Sequence, residues 1–270
     1  MKKIIFGIML FLFPMLLFSA TQTENFSKEF PFEKGNRLSI ENVNGNITVE
    51  EWDKNILRIE VVKTAKGTNE SSAKEALANA QVDIQAVKSG VSVKVQSPKS
   101  WSFFSWLWGS GSSVEVAFRV FLPQSARMQL SSVNGSIYVN VRESELTAET
   151  VNGQISANGI KLLTATTVNG RIDFDSENII KIESVNGAIN GSVLSEKPRT
   201  ASVEAVNGSI TLRFKDKASF SLSLENVNGS IVCDFKEVEG TKREKSGDIN
   251  GGGETIAVET VNGSIEVTTI

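Results

Sequence analysis

Residues 147–190 read TAETVNGQISANGIKLLTATTVNGRIDFDSENIIKIESVNGAIN, and Val-Asn-Gly recurs in this stretch at intervals of 17 residues. The tripeptide occurs eight times in the chain, and Ile249-Asn250-Gly251 is taken as a ninth copy. The asparagines of these copies are Asn44, Asn134, Asn152, Asn169, Asn186, Asn207, Asn228, Asn250 and Asn262. A period of about 20 residues is typical of stacked-repeat proteins, in which each unit packs on its neighbours. The sequence therefore predicts one structural unit repeated along the chain.

Apolar and polar residues alternate on both sides of each Asn-Gly, as in Leu146/Ala148 before the corner and Ile155/Ala157 after it. Period two indicates short strands with one buried face. Asn-Gly between such strands also favours a two-residue hairpin, so an antiparallel meander is the alternative to a stack. All nine copies carry Asn and none carries Asp. Because an Asn amide both donates and accepts, stacked asparagines can bond to one another, whereas stacked carboxylates would repel. We therefore predict an all-β solenoid, with Gly supplying positive φ at each corner.

The repeat pattern breaks in two places. Between the first two corners, helical spacing predicts a helix over residues 69–86 with Asn69, Ser71 or Ser72 as the N-cap, and strands are predicted over 91–95 and 114–122. The stretch 236–253 is charged and rich in glycine, which predicts a flexible loop. We expect a single domain over residues 21–270, with residues 66–113 as an insert.

The N-terminus has the composition of a secretory signal peptide. Lys2 and Lys3 precede an almost wholly apolar run from Ile4 to Phe18, and Ser19-Ala20 supplies small residues for cleavage. The run is short of the ~20 residues that span a bilayer. Residues 1–20 are therefore predicted to be a leader, and the protein is expected to be exported to the periplasm or the cell surface.

The composition excludes several classes of chemistry. The chain has no histidine and a single cysteine, Cys233, which rules out Ser-His and Cys-His catalysis and an intrachain disulfide. The formal net charge of −3 argues against nucleic acid as a partner. Cys233 alternates with Ile231 and Phe235, which indicates a core residue. Asp173 and Asp175 beside Arg171 are weak candidates for calcium-assisted polysaccharide cleavage, so we expect a non-enzymatic protein without a cofactor.

Three rows of side chains follow from the repeat. Glu lies three positions before six corners, at Glu41, Glu149, Glu183, Glu204, Glu225 and Glu259. This row is either a cation-binding stripe, with Glu183, Glu204 and Glu225 as weak metal-ligand candidates, or a solvated face interrupted by Ser131 and Thr166. Stacked carboxylates disfavour one another, which is the reason to consider a cation there, but bulk salt can neutralise an exposed row and the solvated face is favoured.

The residue two positions before the corner is polar in eight copies and is predicted to point inward and hydrogen-bond within the stack. The alternation of side chains along a strand predicts that the Val before each Asn points outward. We expect the corner to fold these valines inward, and the alternative is an exposed valine stripe that docks a partner.

One segment is not required by a repeat scaffold. It holds Trp101, Phe103, Phe104, Trp106, Leu107 and Trp108, flanked by Ser and Gly. Such a loop either caps the end of the stack or forms an exposed finger that contacts a membrane interface or a partner groove. The mobile Ser-Gly flank slightly favours the finger, and these residues are the candidate binding site.

The order of these features resembles the bacterial putative-adhesin family. The resemblance rests on Leu38–Ile47, on Val114–Pro123 and on the train of Val-Asn-Gly coils, and it covers roughly residues 25–270. It implies a right-handed β-helix-like fold and a cell-surface context, with no catalytic motif to carry over. The expected function is a binding or scaffolding module whose partner is a protein or glycan of the cell envelope. The alternatives are a regulatory partner in envelope-stress or anti-sigma signalling and a carbohydrate-binding or carbohydrate-active β-helix.

Overall fold

A computed structural model describes residues 20–96 and 113–270, which form one helix and 21 strands. The helix is α1 (Glu70–Asn79). The strands are β1 (Ala20–Pro31), β2 (Arg37–Glu41), β3 (Ile47–Glu51), β4 (Ile56–Gly67), β5 (Gln81–Val87), β6 (Gly90–Gln96), β7 (Ser113–Leu122), β8 (Arg127–Asn134), β9 (Ile137–Asn140), β10 (Glu145–Asn152), β11 (Ile155–Asn169), β12 (Ile172–Asn186), β13 (Ile189–Val193), β14 (Ala201–Asn207), β15 (Ile210–Phe214), β16 (Phe220–Asn228), β17 (Ile231–Cys233), β18 (Glu239–Gly240), β19 (Glu244–Ile249), β20 (Thr255–Asn262) and β21 (Ile265–Thr269). The protein is thus mostly β, as the alternation predicts.

The strands on the two sides of the corners form two parallel ladders. Before the corners, β8 pairs with β10, β10 with β11, β11 with β12 and β12 with β14. After the corners, β9 pairs with β11, β11 with β12, β12 with β13 and β13 with β15. The long strands β11 and β12 contribute one end to each ladder. Because corresponding strands pair in parallel, the corners of the repeat are not two-residue hairpins, the alternative that Asn-Gly also allows.

The last coil of the chain does not lie at the end of the stack. Strand β20 pairs in parallel with both β14 and β16, and β21 pairs with both β15 and β17. The C-terminal coil is therefore inserted between the two coils that precede it in sequence. Strand β19 runs antiparallel beside β16 and covers the far side of that strand.

At the N-terminal end, β2 lies between β6 and β8, and β3 lies between β7 and β9. Strand β4 pairs antiparallel with β7, and β1 pairs antiparallel with β4 along twelve residues. The strands predicted over 91–95 and 114–122 are confirmed as β6 and β7.

Two predicted segments need correction. The helix begins after Asn69, which forms a capping box with Ser72, but it ends at Asn79, and residues 81–87 form β5 instead of a continued helix. The pairing of β5 with β6 prevails because Val82, Ile84 and Ala86 also satisfy the strand period. Residues 236–253 are not wholly a loop, because β18 and β19 form an antiparallel pair within them.

The core consists of columns of aliphatic side chains between the two ladders. The first strand residue after each of the eight Val-Asn-Gly corners is an isoleucine that is at most 7% exposed. Seven of them are 0% exposed, and Ile231 in the terminal coil is 7% exposed: Ile47, Ile137, Ile155, Ile172, Ile189, Ile210, Ile265 and Ile231. Phe220 packs against both Phe214 and Phe235 near the C-terminal end of the stack. Gly191 leaves room for the ring of Phe174, which a Cβ at that position would overlap.

Candidate functional site

Eight corner asparagines form one continuous hydrogen-bonded row. In stack order they are Asn44, Asn134, Asn152, Asn169, Asn186, Asn207, Asn262 and Asn228. Each Nδ2 donates to the Oδ1 of the preceding asparagine at 2.8–2.9 Å, and Asn44 at the start donates to the Val114 carbonyl. All side-chain amides in the row therefore point the same way.

The ninth asparagine, Asn250, lies outside this row. It sits in the turn after β19 with φ of 48°, and its Nδ2 donates to the carbonyls of Asp216 and Ala218. This corrects the sequence-based expectation of a nine-membered row. The physical reason is that β19 pairs antiparallel with β16, so its end does not arrive at a corner of the parallel ladder.

The corners require glycine because neighbouring coils pack closely there, and less because of a positive φ angle. Within the described residues, positive φ occurs at the outermost corners, Gly45 and Gly229, and the glycines between them lack it. At Gly170 a Cβ would overlap the carbonyl oxygen of Gly153 in the next coil, and the same overlap recurs along the stack. The expectation that each corner needs positive φ is therefore wrong, although the need for glycine is real.

A second row of polar side chains lies just inside the corners. The buried hydroxyls of Thr150, Thr167, Ser184 and Thr260 donate to the corner glycine carbonyl of the neighbouring coil at 2.9–3.2 Å. At the two ends of the stack the equivalent residues are Asn42 and Asn226. Asn42 Nδ2 donates to the Gly45 carbonyl of its own coil, and Asn226 Nδ2 donates to the Gly263 carbonyl of the neighbouring coil. Both Oδ1 atoms are buried without a donor among the described residues.

The outer face of the pre-corner ladder carries a column of glutamates. The register places Glu183, Glu204, Glu259, Glu225 and Glu244 on five successive strands. Thr166 and Ser131 interrupt the column toward the N-terminal end, so Glu149 and Glu41 stand apart from this run. The inserted C-terminal coil is what makes the run continuous, since Glu259 fills the place between Glu204 and Glu225.

The valines before the corner asparagines are exposed. Val151, Val168, Val185, Val206, Val261 and Val227 are 37–53% exposed. The expected inward fold is wrong, because each strand continues through the asparagine and the turn begins only after it, so strand parity is kept. These valines lie two positions from the glutamates and therefore share their face of the ladder.

A groove of about 530 Å³ runs along this face over the last coils of the stack. Its lining includes the valines from Val168 to Val261, four of the glutamates and, at the far end, Arg243 and Glu244. At a strand spacing of ~4.8 Å, five glutamate-bearing strands span roughly 19 Å. We call this feature the Val/Glu groove.

Metal and catalytic chemistry find little support in residues 20–96 and 113–270. No group of three carboxylate, cysteine or histidine side chains there is arranged to hold a metal ion. Glu183, one of the metal candidates, pairs with Lys181 at 2.6 Å. Asp173 accepts hydrogen bonds from Arg171, Gln154 and Asn190, while Asp175 is exposed on the same strand.

The pKa values of Glu51 and Cys233 are shifted, each for a clear physical cause. Hydrogen bonds from the Arg142 guanidinium lower the pKa of Glu51, with which it forms an ion pair. Burial raises the pKa of the half-buried Cys233 thiol, which favours its protonated form.

The aromatic candidates from Trp101 to Trp108 lie outside the described residues. The strands that flank them are β6, which ends at Gln96, and β7, which begins at Ser113, both at the N-terminal end of the stack. Within the described parts of the chain, no helix is long and apolar enough to cross a membrane.

Comparison with known proteins identifies the family. Solved structures with a similar course of the chain include a putative cell adhesion protein from Clostridium sporogenes, with 11% identity, a TM-score of 0.42 and coverage of 92% of this chain and 100% of that one. A putative adhesin from Bacteroides fragilis has 9% identity, a TM-score of 0.42 and coverage of 92% and 97%. Among curated proteins, none matches the sequence. The family model described as Toastrack DUF4097 matches residues 31–268, and the chain therefore belongs to the Toastrack DUF4097 family.

Proposed function

We propose that this protein is a non-enzymatic, adhesin-like binding or scaffolding module of the bacterial cell envelope. The observation that carries the proposal is the outer face of the parallel ladder, on which the same exposed side chains recur coil after coil beside the Val/Glu groove. A repeated, exposed row of valines has no role in the core, and exposed apolar stripes of this kind mark interaction surfaces.

The stack supports such a surface mechanically. Each corner asparagine is hydrogen-bonded to the next through its side-chain amide, and in most coils an inward hydroxyl adds a second hydrogen bond to the neighbouring coil. These hydrogen bonds hold the outer side chains at fixed spacing, which reduces the ordering cost of binding. We further propose that the coils wind as a right-handed solenoid, since crossovers between parallel strands are right-handed in nearly all proteins.

Binding to envelope material tests the proposal. Purified protein is mixed with washed bacterial envelopes, and the bound fraction is measured after sedimentation against increasing envelope concentration. Saturable binding that is abolished by prior heat unfolding of the protein is the expected result. Absence of saturable binding to membranes, peptidoglycan and whole envelopes would reject an envelope-binding role.

The same material separates the alternatives. Binding to purified polysaccharides on a glycan array, with release of shortened chains, would favour a carbohydrate-active β-helix. Binding that requires an intact membrane protein and is lost after protease treatment of the envelopes would favour a regulatory partner in envelope signalling. Localisation is tested by fractionating cells that produce the full chain, for which we propose recovery from the periplasm or the cell surface.

We also propose that the segment from Trp101 to Trp108 contacts a membrane interface. The segment holds three Trp, two Phe and one Leu with no charge, a composition suited to the boundary between lipid and water. The double variant W106A/W108A should keep the thermal midpoint of the wild type and bind phospholipid vesicles at least about tenfold more weakly. A marked loss of stability with unchanged vesicle binding would show instead that the segment caps the core.

A further inference from the structure

The Val/Glu groove combines an apolar column with a column of a single charge sign. Its exposed valines stand on successive coils, and the glutamates stand beside them on the same strands. Among the described residues, Glu204, Glu259 and Glu225 form no ion pair, whereas Glu183 pairs with Lys181 at one end of the run. Carboxylates ~4.8 Å apart repel one another, so the middle of the groove carries negative charge that no ion pair neutralises among the described residues.

Carboxylates outnumber cationic side chains along the whole groove. Its lining includes five glutamates, which are Glu183, Glu204, Glu225, Glu244 and Glu259. Arg243 is the one cationic residue in the groove lining. An occupant that supplies N–H donors and positive charge therefore suits this surface, and an anionic occupant does not.

We propose that the Val/Glu groove docks a cationic amphipathic polypeptide segment, which sets Lys or Arg groups on the glutamates and apolar side chains on the valines. This inference rests on the proposed binding function and names the chemistry of the partner. Nucleic acids, acidic glycans and anionic lipid headgroups are disfavoured by the charge of the glutamate column. The ~19 Å run matches about six extended residues or about thirteen helical ones, which sets the size of the segment.

The C-terminal coil is essential to this surface. Without β20, the strands that bear Glu204 and Glu225 would lack the glutamate and the valine that join the two halves of each column. The register thus assembles, from three coils stacked out of sequence order, a surface that no single repeat contains.

The test uses a fluorescent 14-residue peptide of Lys and Leu, patterned so that one face is cationic and the other apolar. Two control peptides replace Lys by Glu or Leu by Ser. Binding to the full chain is measured by fluorescence anisotropy at low and high salt. The triple variant E204Q/E259Q/E225Q is compared with E149Q/E177Q/E266Q, which neutralises three exposed glutamates outside the groove.

We expect the groove variant to bind the Lys/Leu peptide at least about tenfold more weakly than wild type and the control variant to stay within about twofold. The double variant V206T/V261T should bind the Lys/Leu peptide more weakly than wild type. Its affinity for the Lys/Ser peptide, which is lower from the start, should be unchanged. High salt should weaken binding to the wild type, since exposed charges are screened. Equal affinity of the groove variant and the wild type, or equal losses in both triple variants, would overturn the proposal.

Failure of this inference is distinguishable from failure of the proposed function. If wild type and E204Q/E259Q/E225Q bind envelopes equally well and the peptide is not bound, the envelope role stands and the groove assignment falls. If the peptide is bound through the glutamates while envelopes are not, the groove assignment stands and the envelope role falls.

Discussion

At the scale of single residues, the corner asparagines show why the repeat keeps one amide and never a carboxylate. Asn186 donates to Asn169 and accepts from Asn207, so it uses both halves of its amide. An aspartate there would lose the donor and set a charge against the Oδ1 of Asn169. The chemistry of a single side chain was sufficient to predict this row from the sequence.

We therefore expect Asn186→Asp to lower the free energy of unfolding by about 1–3 kcal/mol, the usual cost of leaving a polar group unsatisfied. Asn44→Asp should cost less, because Asn44 keeps its acceptor role toward Asn134 and loses only a 3.3 Å bond to Val114. Urea unfolding followed by circular dichroism measures both. Equal, near-zero changes in the two variants would show that the row contributes no stability.

Residue-level reasoning failed where the neighbours of a residue depend on topology. Asn250 has the same local sequence as a corner, yet its strand is antiparallel and its amide caps a turn. The valines are predicted to lie inside because the corner is expected to fold them inward. Their exposure follows once the strand is seen to continue through the asparagine.

At the scale of elements, the ladders were predictable and their ends were not. Period-two alternation identified β6 and β7. Residues 80–86 carry apolar spacing that satisfies both a helix and a strand, and the pairing with β6 decides between them. Strand β19 is not predicted because its sequence, EKSGDI, has no apolar alternation. It forms through its antiparallel pairing with β16, which the local sequence does not indicate.

Element contacts also give a pH-dependent prediction. Glu51 at the end of β3 is held by Arg142, which follows β9, and the pKa of Glu51 is lowered by those hydrogen bonds. Because the pKa of Glu51 is lower in the folded state, the ionised carboxylate stabilises the fold. This contribution to stability is fully present above the unfolded-state pKa and is lost as the pH falls through the folded-state pKa.

Glu51→Gln should therefore destabilise the protein at pH 7, and the difference from wild type should shrink as the pH is lowered below the ordinary range of a glutamate. Urea titrations of both proteins at several pH values between 7 and 3 measure this difference. A difference that stays constant over that range would mean that the carboxylate charge contributes nothing.

At the scale of the whole molecule, the sequence predicts a stack but not the order of its coils. All coils share the same corner and the same inward pattern, so any of them fits beside any other in register. The insertion of the C-terminal coil between its two predecessors comes from the connection over residues 234–254, whose β18 and β19 lie beside β16 instead of continuing the ladder. The candidate site depends on that order, which explains why the glutamate run was predicted without Glu259 at its centre.

The coil order is the claim on which the groove rests, and cysteine pairs test it most directly. In a Cys233→Ser background, Glu204→Cys with Glu259→Cys places two thiols on adjacent parallel strands, within the ~4.4–6.8 Å Cα separation that a disulfide spans. Glu204→Cys with Glu225→Cys places them two strands apart. After mild oxidation, mass spectrometry of non-reduced digests should find the 204–259 link and not the 204–225 link. A 204–225 link without a 204–259 link would show that the coils stack in sequence order and would contradict the groove as described.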